Sequence, residues 1–389
     1  MNKTTGISLL LLWSLLICCG ASSFKAEIPH PSYAAASSQT EIKFMLEDFY
    51  SSSKTLDSIV QVEYDRLTVK ERAAQLIMDA TSEAAAAGLP FARAEKLVAD
   101  SLIGGLLFLK GKKDLFQQQI KKLDSISLPG HKTQLVYSCD CEPTLFHKKL
   151  IGALPVKAAS DLKELEEVQH AAEAIASSIK MMGIQINFAP VADLALNKAV
   201  INNRSFGNNP ADIMQKSIAF VKSTQTQQVV SCVKHFPGHG AVAGDTHKGQ
   251  VYIDGALTEL ETFRLVISRS APVMVMVGHM TVRNNPFYGT KGMPCSVSSI
   301  IIKKLLKTEL GYQGIVVTDA MRMSALDRTP EADWKAIEAG ADLVLMPRNA
   351  RLLNSRIVNA FSGNAELGKQ LEASVKKMLR LKFCLGNIK

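Results

Sequence analysis

A short stretch of the chain contains an aspartate and a histidine at a spacing that could support acid–base chemistry. Residues 234–240 read Lys-His-Phe-Pro-Gly-His-Gly, and Asp245 and His247 follow two positions apart. A carboxylate at this spacing can hydrogen-bond the imidazole in a turn, fix its tautomer and raise its basicity. Such an imidazole can protonate a leaving group and later activate water. The pair by itself is also typical of a surface turn or a metal ligand.

Lys234 and His235 end an apolar run, where burying them is costly unless they bind something. Sugar hydroxyls are good partners for ammonium and imidazole donors. The residues that follow form a fixed turn at Pro237, and Gly238 and Gly240 permit close approach of the backbone to a ligand. The segment therefore indicates a ligand-binding strand end.

Asp319 directly follows another apolar run, residues 314–318. A carboxylate in this position must pair, bind a metal or react. The nucleophile of a glycosidase, which forms a covalent glycosyl intermediate, is a natural role for it, and a structural salt bridge is the alternative. Arg204 offers a fork of donors to a ligand, although a surface ion pair would explain it equally well.

The elements that must position these groups alternate between apolar, β-rich runs and amphipathic helices. Seven strands are predicted at residues 104–109, 134–139, 184–189, 229–235, 273–279, 314–319 and 342–346. Nearly continuous apolar runs are typical of parallel strands buried on both faces. Helices are predicted at residues 161–182 and 298–310, with Gly311 as a stop. The pattern predicts an α/β fold, a single (β/α)8 TIM-type barrel with some irregularity and one strand unrecognised.

Polar residues capable of chemistry fall at the C-terminal ends of these strands. They are Asp140, Asp193, His235, His279 and Asp319. In (β/α)8 barrels the active site is built at that face. The sequence therefore predicts one active site at the mouth of the barrel.

The composition is that of an ordinary globular protein, with 389 residues, 47% hydrophobic, 21% charged and a net charge of +9. Lys and Arg are scattered and no nucleic-acid motif occurs, so we expect solvated faces or attraction to an anionic surface or substrate, and no nucleic acid. His235, His239 and His247 follow a strand and do not lie on a helix at metal-ligand spacing, so no metal is expected. The five cysteines beyond residue 23 are predicted to be buried free thiols.

The N-terminus has a charged start, an apolar run of about 13 residues and then small residues, the pattern of a secretory signal. Since about 20 residues are needed to span a bilayer, we expect export to the periplasm or exterior. Lipid attachment at Cys18 or Cys19, giving membrane association, is the alternative. The predicted organisation is a signal-like segment at 1–23, a linker with an N-terminal helical extension at 24–60, and a barrel domain at 61–389. We expect a monomer.

The motif at 234–240, followed after four residues by Asp245 and His247, resembles glycoside hydrolase family 3, specifically its β-N-acetylglucosaminidase branch. Further similar segments occur in order between residues 61 and 350, at 67–76 (an N-terminal helix), 103–108 (a first strand), 187–193, 203–207, 314–321 and 338–343. The resemblance implies that Asp319 is the nucleophile and that His247 is the general acid/base, assisted by Asp245. It also implies that Arg204, Lys234 and His235 hold the sugar and that Asp140 binds its outer hydroxyls.

One segment departs from the family pattern. The family usually has Asp-Gln-Glu-Gly-Gly-Arg and a later Arg after the second strand, whereas residues 140–148 read Asp-Cys-Glu-Pro-Thr-Leu-Phe-His-Lys. By spacing, Lys148 replaces the later Arg, without its bidentate fork.

The function that the resemblance implies is a retaining exo-glycosidase, acting without a cofactor. It would remove terminal β-linked N-acetylglucosamine from peptidoglycan fragments or related glycans through a glycosyl–aspartate intermediate. Two alternatives remain open. One is a phosphorylase on the same site, and the other is a weakened, exported glycan-binding protein, suggested by the altered residues 140–148.

Overall fold

The computed structural model describes residues 43–127 and 134–388. The predicted signal-like segment and residues 24–42 of the linker lie outside this range, so export and lipid attachment remain predictions. Within the described ranges, no helix is long and apolar enough to cross a membrane.

Eight parallel strands of the described chain form a ring, in the order β1, β2, β3, β5, β6, β8, β10 and β11. A parallel bridge between Val317 and Leu343 closes the ring by joining β10 to the segment leading into β11. β4 pairs with β2, and β7 and β9 form a separate pair. The strands are β1 Ile77–Ser82, β2 Gly105–Lys112, β3 Val136–Cys139, β4 Leu150–Ile151, β5 Ile186–Asn187, β6 Val230–Phe236, β7 Tyr252–Asp254, β8 Met274–Val277, β9 Thr281–Arg283, β10 Ile315–Thr318 and β11 Val344–Leu345. The predicted single α/β barrel is confirmed.

Helices surround this ring and join its strands. The α-helices are α1 Lys54–Arg66, α2 Val69–Ala74, α3 Phe91–Ala99, α4 Lys113–Ser127, α5 Phe146–Lys149, α6 Leu165–Lys180, α7 Pro210–Thr226, α8 Leu260–Ser270, α9 Ala332–Ala339, α10 Ala350–Gly363 and α11 Ala365–Cys384. A π-type helix spans Ile300–Glu309, and short 3-10 turns include Leu46–Tyr50 and Ser324–Leu326. The predicted helix 161–182 is therefore shorter, and the predicted helix 298–310 is of π type and ends before Gly311, which has a φ of 65°.

The strand that the apolar pattern did not reveal is β1. Its residues Asp79, Thr81 and Ser82 are polar but buried, so β1 lacks the continuous apolar run of the other strands. Asp79 is neutralised by Arg93, whose two terminal nitrogens donate to its carboxylate at 3.1 and 2.6 Å. The expectation that residues 103–108 form the first strand is wrong, because residues 105–108 belong to β2, the second strand of the ring.

The N-terminal helical extension packs on the last helix of the same compact unit. Arg380 of α11 donates to the carbonyl oxygens of Phe49 and Asp48 at 2.6 and 3.0 Å, and its Nη1 binds the Asp57 carboxylate at 2.5 Å. The two ends of the described chain therefore stabilise each other. All five described cysteines are buried and free, as predicted.

Candidate active site

A cavity of about 310 Å³ opens at the C-terminal ends of the ring strands. Its lining includes six of the predicted site residues, namely Asp140, Arg204, Lys234, His235, His247 and Asp319. Asp245 lies beside His247, to which it is hydrogen-bonded. Parallel strands place their carboxyl ends at one face, so residues far apart in sequence meet there.

Asp319 follows β10 directly and presents a carboxylate to the cavity. One oxygen, Oδ1, accepts the Ala320 N–H at 2.8 Å, and no hydrogen bond to Oδ2 is found among the described residues. Burial by itself would raise the pKa of Asp319. Electrostatic interactions with the imidazoles of His235 and His279, the Ala320 N–H and the charge of Lys234 together outweigh burial and lower this pKa. The carboxylate is therefore ionised, as a nucleophile requires.

His247 and Asp245 form the predicted pair on the loop after β6. The Nδ1 atom of His247 lies 2.9 Å from Asp245 Oδ1, which also accepts the His247 backbone N–H at 2.8 Å. Burial raises the pKa of Asp245, but its two hydrogen bonds and the charge of His247 lower it overall. The ionised carboxylate accepts a hydrogen bond from the protonated Nδ1 of His247. The Nε2 atom then faces the cavity, on a side chain that is 62% exposed.

This acid–base loop is attached to the turn that follows Asp319. The Ala325 N–H donates to the Thr246 carbonyl oxygen at 3.0 Å, and Thr246 itself is buried. The bond joins the residue before His247 to the 3-10 turn Ser324–Leu326. The two candidate catalytic groups, which follow β10 and β6 with only β8 between these strands in the ring, are thereby held at one cavity.

A buried cluster of charges occupies the side of the cavity formed after β3, β5 and β6. Arg204 binds Glu142 with both prongs of its guanidinium, at 2.8 and 2.6 Å, and Lys234 Nζ lies 2.6 Å from the same carboxylate. Lys234 also binds Asp140. Burial would raise the pKa of Asp140 and that of Glu142, but the neighbouring cations lower both, so the carboxylates are ionised. Three cations including Lys149 face two carboxylates, an arrangement suited to holding a polar ligand.

The lysine beside Asp140 is Lys149, and the expectation for Lys148 is corrected. Lys149 Nζ lies 3.2 Å from Asp140 Oδ2 and lines the cavity, whereas Lys148 is exposed and does not line it. The two lysines are neighbours on the short helix α5, about 100° apart around its axis, so only one can face the barrel. Counting residues against the family pattern could not resolve this difference of one position.

His235 is oriented by a buried carboxylate. Asp193 Oδ2 lies 2.7 Å from His235 Nδ1, and its two oxygens accept the backbone N–H groups of His235 and His239. The imidazole is thereby fixed with Nε2 free for the ligand. Asp193 follows a predicted strand, and its role could not be predicted from the sequence. Its role is to position the ring.

His239, also in the motif, is buried and lines the cavity. Burial and the charge of His235 lower the pKa of His239 to about 4. Its Nδ1 lies 3.3 Å from the Asn197 amide nitrogen, and its Nε2 has no hydrogen-bond partner within the described part of the chain. His239 is thus a neutral imidazole at neutral pH.

Glu259, which the sequence analysis did not single out, holds the glycine-rich turn. Its carboxylate accepts the backbone N–H groups of Leu194, Gly240 and Ala241 at 2.6, 2.9 and 2.9 Å. A Cβ at Gly240 would lie 1.9 Å from the Leu194 carbonyl oxygen, so this close approach requires glycine. Glu259 lies before α8 with no motif around it, and no sequence signal could have identified it.

His279, which follows β8, supports the turn after Asp319. Its Nε2 donates to the Ala320 carbonyl oxygen at 3.0 Å, and its Nδ1 lies 2.7 Å from Ser296 Oγ. Burial lowers the pKa of His279, which favours the neutral ring with one donor and one acceptor. The predicted position of His279 at the C-terminal face of the barrel is confirmed, and its contact there stabilises the turn after Asp319.

Comparison with known proteins agrees with this geometry. Residues 68–381 match the family described as "Glycosyl hydrolase family 3 N terminal domain". The chain belongs to glycoside hydrolase family 3. It is 30% identical over 298 residues to Beta-hexosaminidase LpqI of Mycobacterium bovis, a match that covers 72% of this chain and 73% of the relative. It is 32% identical over 237 residues to Beta-hexosaminidase A of Pseudoalteromonas piscicida, covering 54% of this chain.

Among solved structures, a family 3 β-N-acetylglucosaminidase from Paenibacillus sp. superposes with a TM-score of 0.72 at 28% identity. That match covers 82% of this chain and 63% of the Paenibacillus chain. The present chain likewise spans only 40% of the Pseudoalteromonas relative. The resemblance of the motifs to family 3 is thereby confirmed, as is the barrel fold.

Proposed function

We propose that this protein is a retaining β-N-acetylhexosaminidase that removes terminal β-linked N-acetylglucosamine. The observation that carries the proposal is the placement of an ionised Asp319 and the hydrogen-bonded pair Asp245–His247 at one cavity. The names of the family 3 relatives, Beta-hexosaminidase and β-N-acetylglucosaminidase, support the choice of sugar.

In the first step, Asp319 Oδ2 attacks the anomeric carbon and the bond from that carbon to the leaving oxygen breaks. His247 Nε2 gives its proton to the leaving oxygen, and Asp245 stabilises the proton that remains on Nδ1. In the second step, His247 takes a proton from water, whose oxygen bonds to the anomeric carbon. The glycosyl–Asp319 bond breaks and its electron pair returns to the carboxylate.

The charged cluster of Asp140, Lys149, Arg204 and Lys234 would hold the sugar hydroxyls on the far side from the leaving group. Because Glu142 is buried and pinned by Arg204 and Lys234, its role is to hold these cations. The peptidoglycan fragment as natural substrate is part of the same proposal and rests on the motif resemblance. An exported location is likewise proposed from the N-terminal pattern alone.

The test is turnover of 4-nitrophenyl β-N-acetylglucosaminide by the wild type and by Asp319→Asn. We expect the variant to lose at least about 10³-fold in kcat, because the amide cannot form the glycosyl ester. The matched control is Asp327→Asn, an exposed aspartate eight residues later. Intact-mass analysis of the wild type with a slow substrate should show a glycosyl adduct that Asp319→Asn does not form.

Near-normal turnover by Asp319→Asn would refute the nucleophile assignment. Glycan binding by the wild type without turnover would instead favour the weakened glycan-binding alternative. Release of sugar 1-phosphate in millimolar phosphate would identify a phosphorylase.

A further inference from the structure

We propose that Arg322 forms an anion-binding subsite on the leaving-group side of the cavity. The subsite would recognise an oxyanion, either a carboxylate carried by the leaving group or a phosphate that replaces water as the acceptor. The inference rests on the proposed function, because it assigns a second binding partner to the same cavity.

Arg322 is an exposed arginine that lines the cavity three residues after Asp319. Its only hydrogen bond within the described part of the chain is a weak one, from Nε to the Pro347 carbonyl oxygen at 3.4 Å. The two terminal nitrogens of the guanidinium are therefore free. No carboxylate of the described residues lies within 4 Å of this side chain.

The carboxylates nearest to Arg322 are bound elsewhere. Asp79 accepts hydrogen bonds from both terminal nitrogens of Arg93. Asp333 Oδ2 accepts the backbone N–H of Arg348 at 2.9 Å, and Asp333 Oδ1 has no hydrogen-bond partner among the described residues, Arg322 included. Partial burial and then the positive charge of Arg93 lower the pKa of Arg322. A bound oxyanion would supply the missing counter-charge and would accept the free donors as a bidentate pair.

The fold places Arg322 on the leaving-group side. The sugar-holding cluster is formed by β6 and the loops after β3 and β5, whereas Arg322 follows β10. Arg93 lies in α3 after β1, and only β11 separates β1 from β10 in the closed ring. The bond from Ala325 N–H to Thr246 O attaches the turn of Arg322 to the loop of His247. A general acid lies next to the leaving oxygen by the nature of its task, so Arg322 shares that side.

Phosphate bound at the Arg322 subsite would replace water as the acceptor in the second step, with the same nucleophile and the same sugar-binding residues. An oxygen of hydrogen phosphate would bond to the anomeric carbon as the glycosyl–Asp319 bond breaks. The electron pair returns to Asp319, and the product keeps the phosphate proton. No further base is consumed in this step.

The experiment compares wild type, Arg322→Gln, Arg322→Lys and the control Arg328→Gln, which removes an exposed charge six residues away. Each enzyme is assayed on 4-nitrophenyl β-N-acetylglucosaminide and on an analogue with a carboxylate on the phenyl ring. The quantity compared is the ratio of kcat/KM for the carboxylated substrate to that for the neutral one. We expect Arg322→Gln to lower this ratio by about tenfold or more, with Arg322→Lys intermediate and Arg328→Gln unchanged.

A second arm adds inorganic phosphate and measures sugar 1-phosphate. Loss of its formation in Arg322→Gln, with an unchanged substrate ratio, would identify phosphate as the anion. If neither the ratio nor phosphate use depends on Arg322, the subsite proposal is overturned.

If the wild type cleaves neither glycoside, the proposed function has failed, and the subsite is tested by itself. Calorimetric titration with inorganic phosphate then compares the phosphate affinity of the wild type with that of Arg322→Gln. Weaker binding by the variant retains the subsite, and equal affinity rejects it.

Discussion

At the scale of single residues, the neighbours Lys148 and Lys149 give a matched pair for mutation. We expect Lys149→Ala to lower kcat/KM on 4-nitrophenyl β-N-acetylglucosaminide by about tenfold, because Asp140 loses a charged hydrogen bond at the cavity. Lys148→Ala should leave the rate within about twofold, since that side chain is exposed and outside the cavity lining. A larger loss in Lys148→Ala than in Lys149→Ala would restore the assignment made from spacing.

The residues that carry chemistry were predictable where their type and position were unusual together. Asp319, His235 and Lys234 end apolar runs, and burial of a charge there signals a function. Lys149 and Glu259 were not predictable, because their contacts depend on how a four-residue helix and a distant loop meet the barrel. Those contacts join residues that are distant in sequence, so no periodic pattern in the sequence indicates them.

At the scale of elements, the turn that follows β6 is held in place by Glu259. We expect Glu259→Gln to lower the free energy of unfolding by about 1–3 kcal/mol. The carboxylate accepts three backbone N–H groups through its two oxygens, whereas the amide has only one oxygen that can accept. The kcat should fall as well, with a smaller change in KM, since the displaced turn leads into the loop of His247. Urea unfolding and steady-state kinetics measure these effects.

The control for this variant is Glu261→Gln, an exposed residue at the start of α8. It should alter neither stability nor kcat. If Glu259→Gln has wild-type stability and kcat, Glu259 does not hold the turn.

The strands of the ring differ in how well the apolar pattern of the sequence predicts them. Seven ring strands were predicted because each is a buried apolar run, whereas β1 contains a buried Asp79. Its carboxylate is acceptable only because Arg93 of α3 neutralises it, and that partner lies 14 residues away in the chain. Strand recognition fails at such positions, because the polar residue is stabilised by a tertiary contact.

At the scale of the whole molecule, a buried amine links the last helix of the described chain to the start of the barrel. Lys382 of α11 is fully buried and donates to Gln75 Oε1 at 2.5 Å, at the junction between α2 and β1. Burial lowers the pKa of Lys382 from 10.5 to about 7. Between these two values the unfolded chain holds a proton that the folded chain lacks, so the free energy of unfolding rises with pH in this window.

We therefore expect Lys382→Met to weaken this pH dependence. The difference in unfolding free energy between wild type and Lys382→Met should shift in favour of the wild type as the pH rises from 7.5 to 9.5. Urea denaturation at several pH values measures this difference. Lys369→Met, an exposed substitution on the same helix, serves as the control and should give a difference independent of pH. A pH-independent difference for Lys382→Met would show that the amine is protonated in the folded protein.

The hydrogen bond from Ala325 N–H to Thr246 O has a consequence for how this site can change during evolution. Both partners are main-chain atoms, so substitution of the side chains around them leaves the bond available. Asp319, the proposed nucleophile, stands at the end of a barrel strand, whereas His247, the proposed proton donor, stands on a separate loop that this main-chain bond joins to the turn after β10. We therefore expect insertions in that loop, or its exchange for a loop with another acid, to leave the barrel strands and the proposed sugar-binding residues in place.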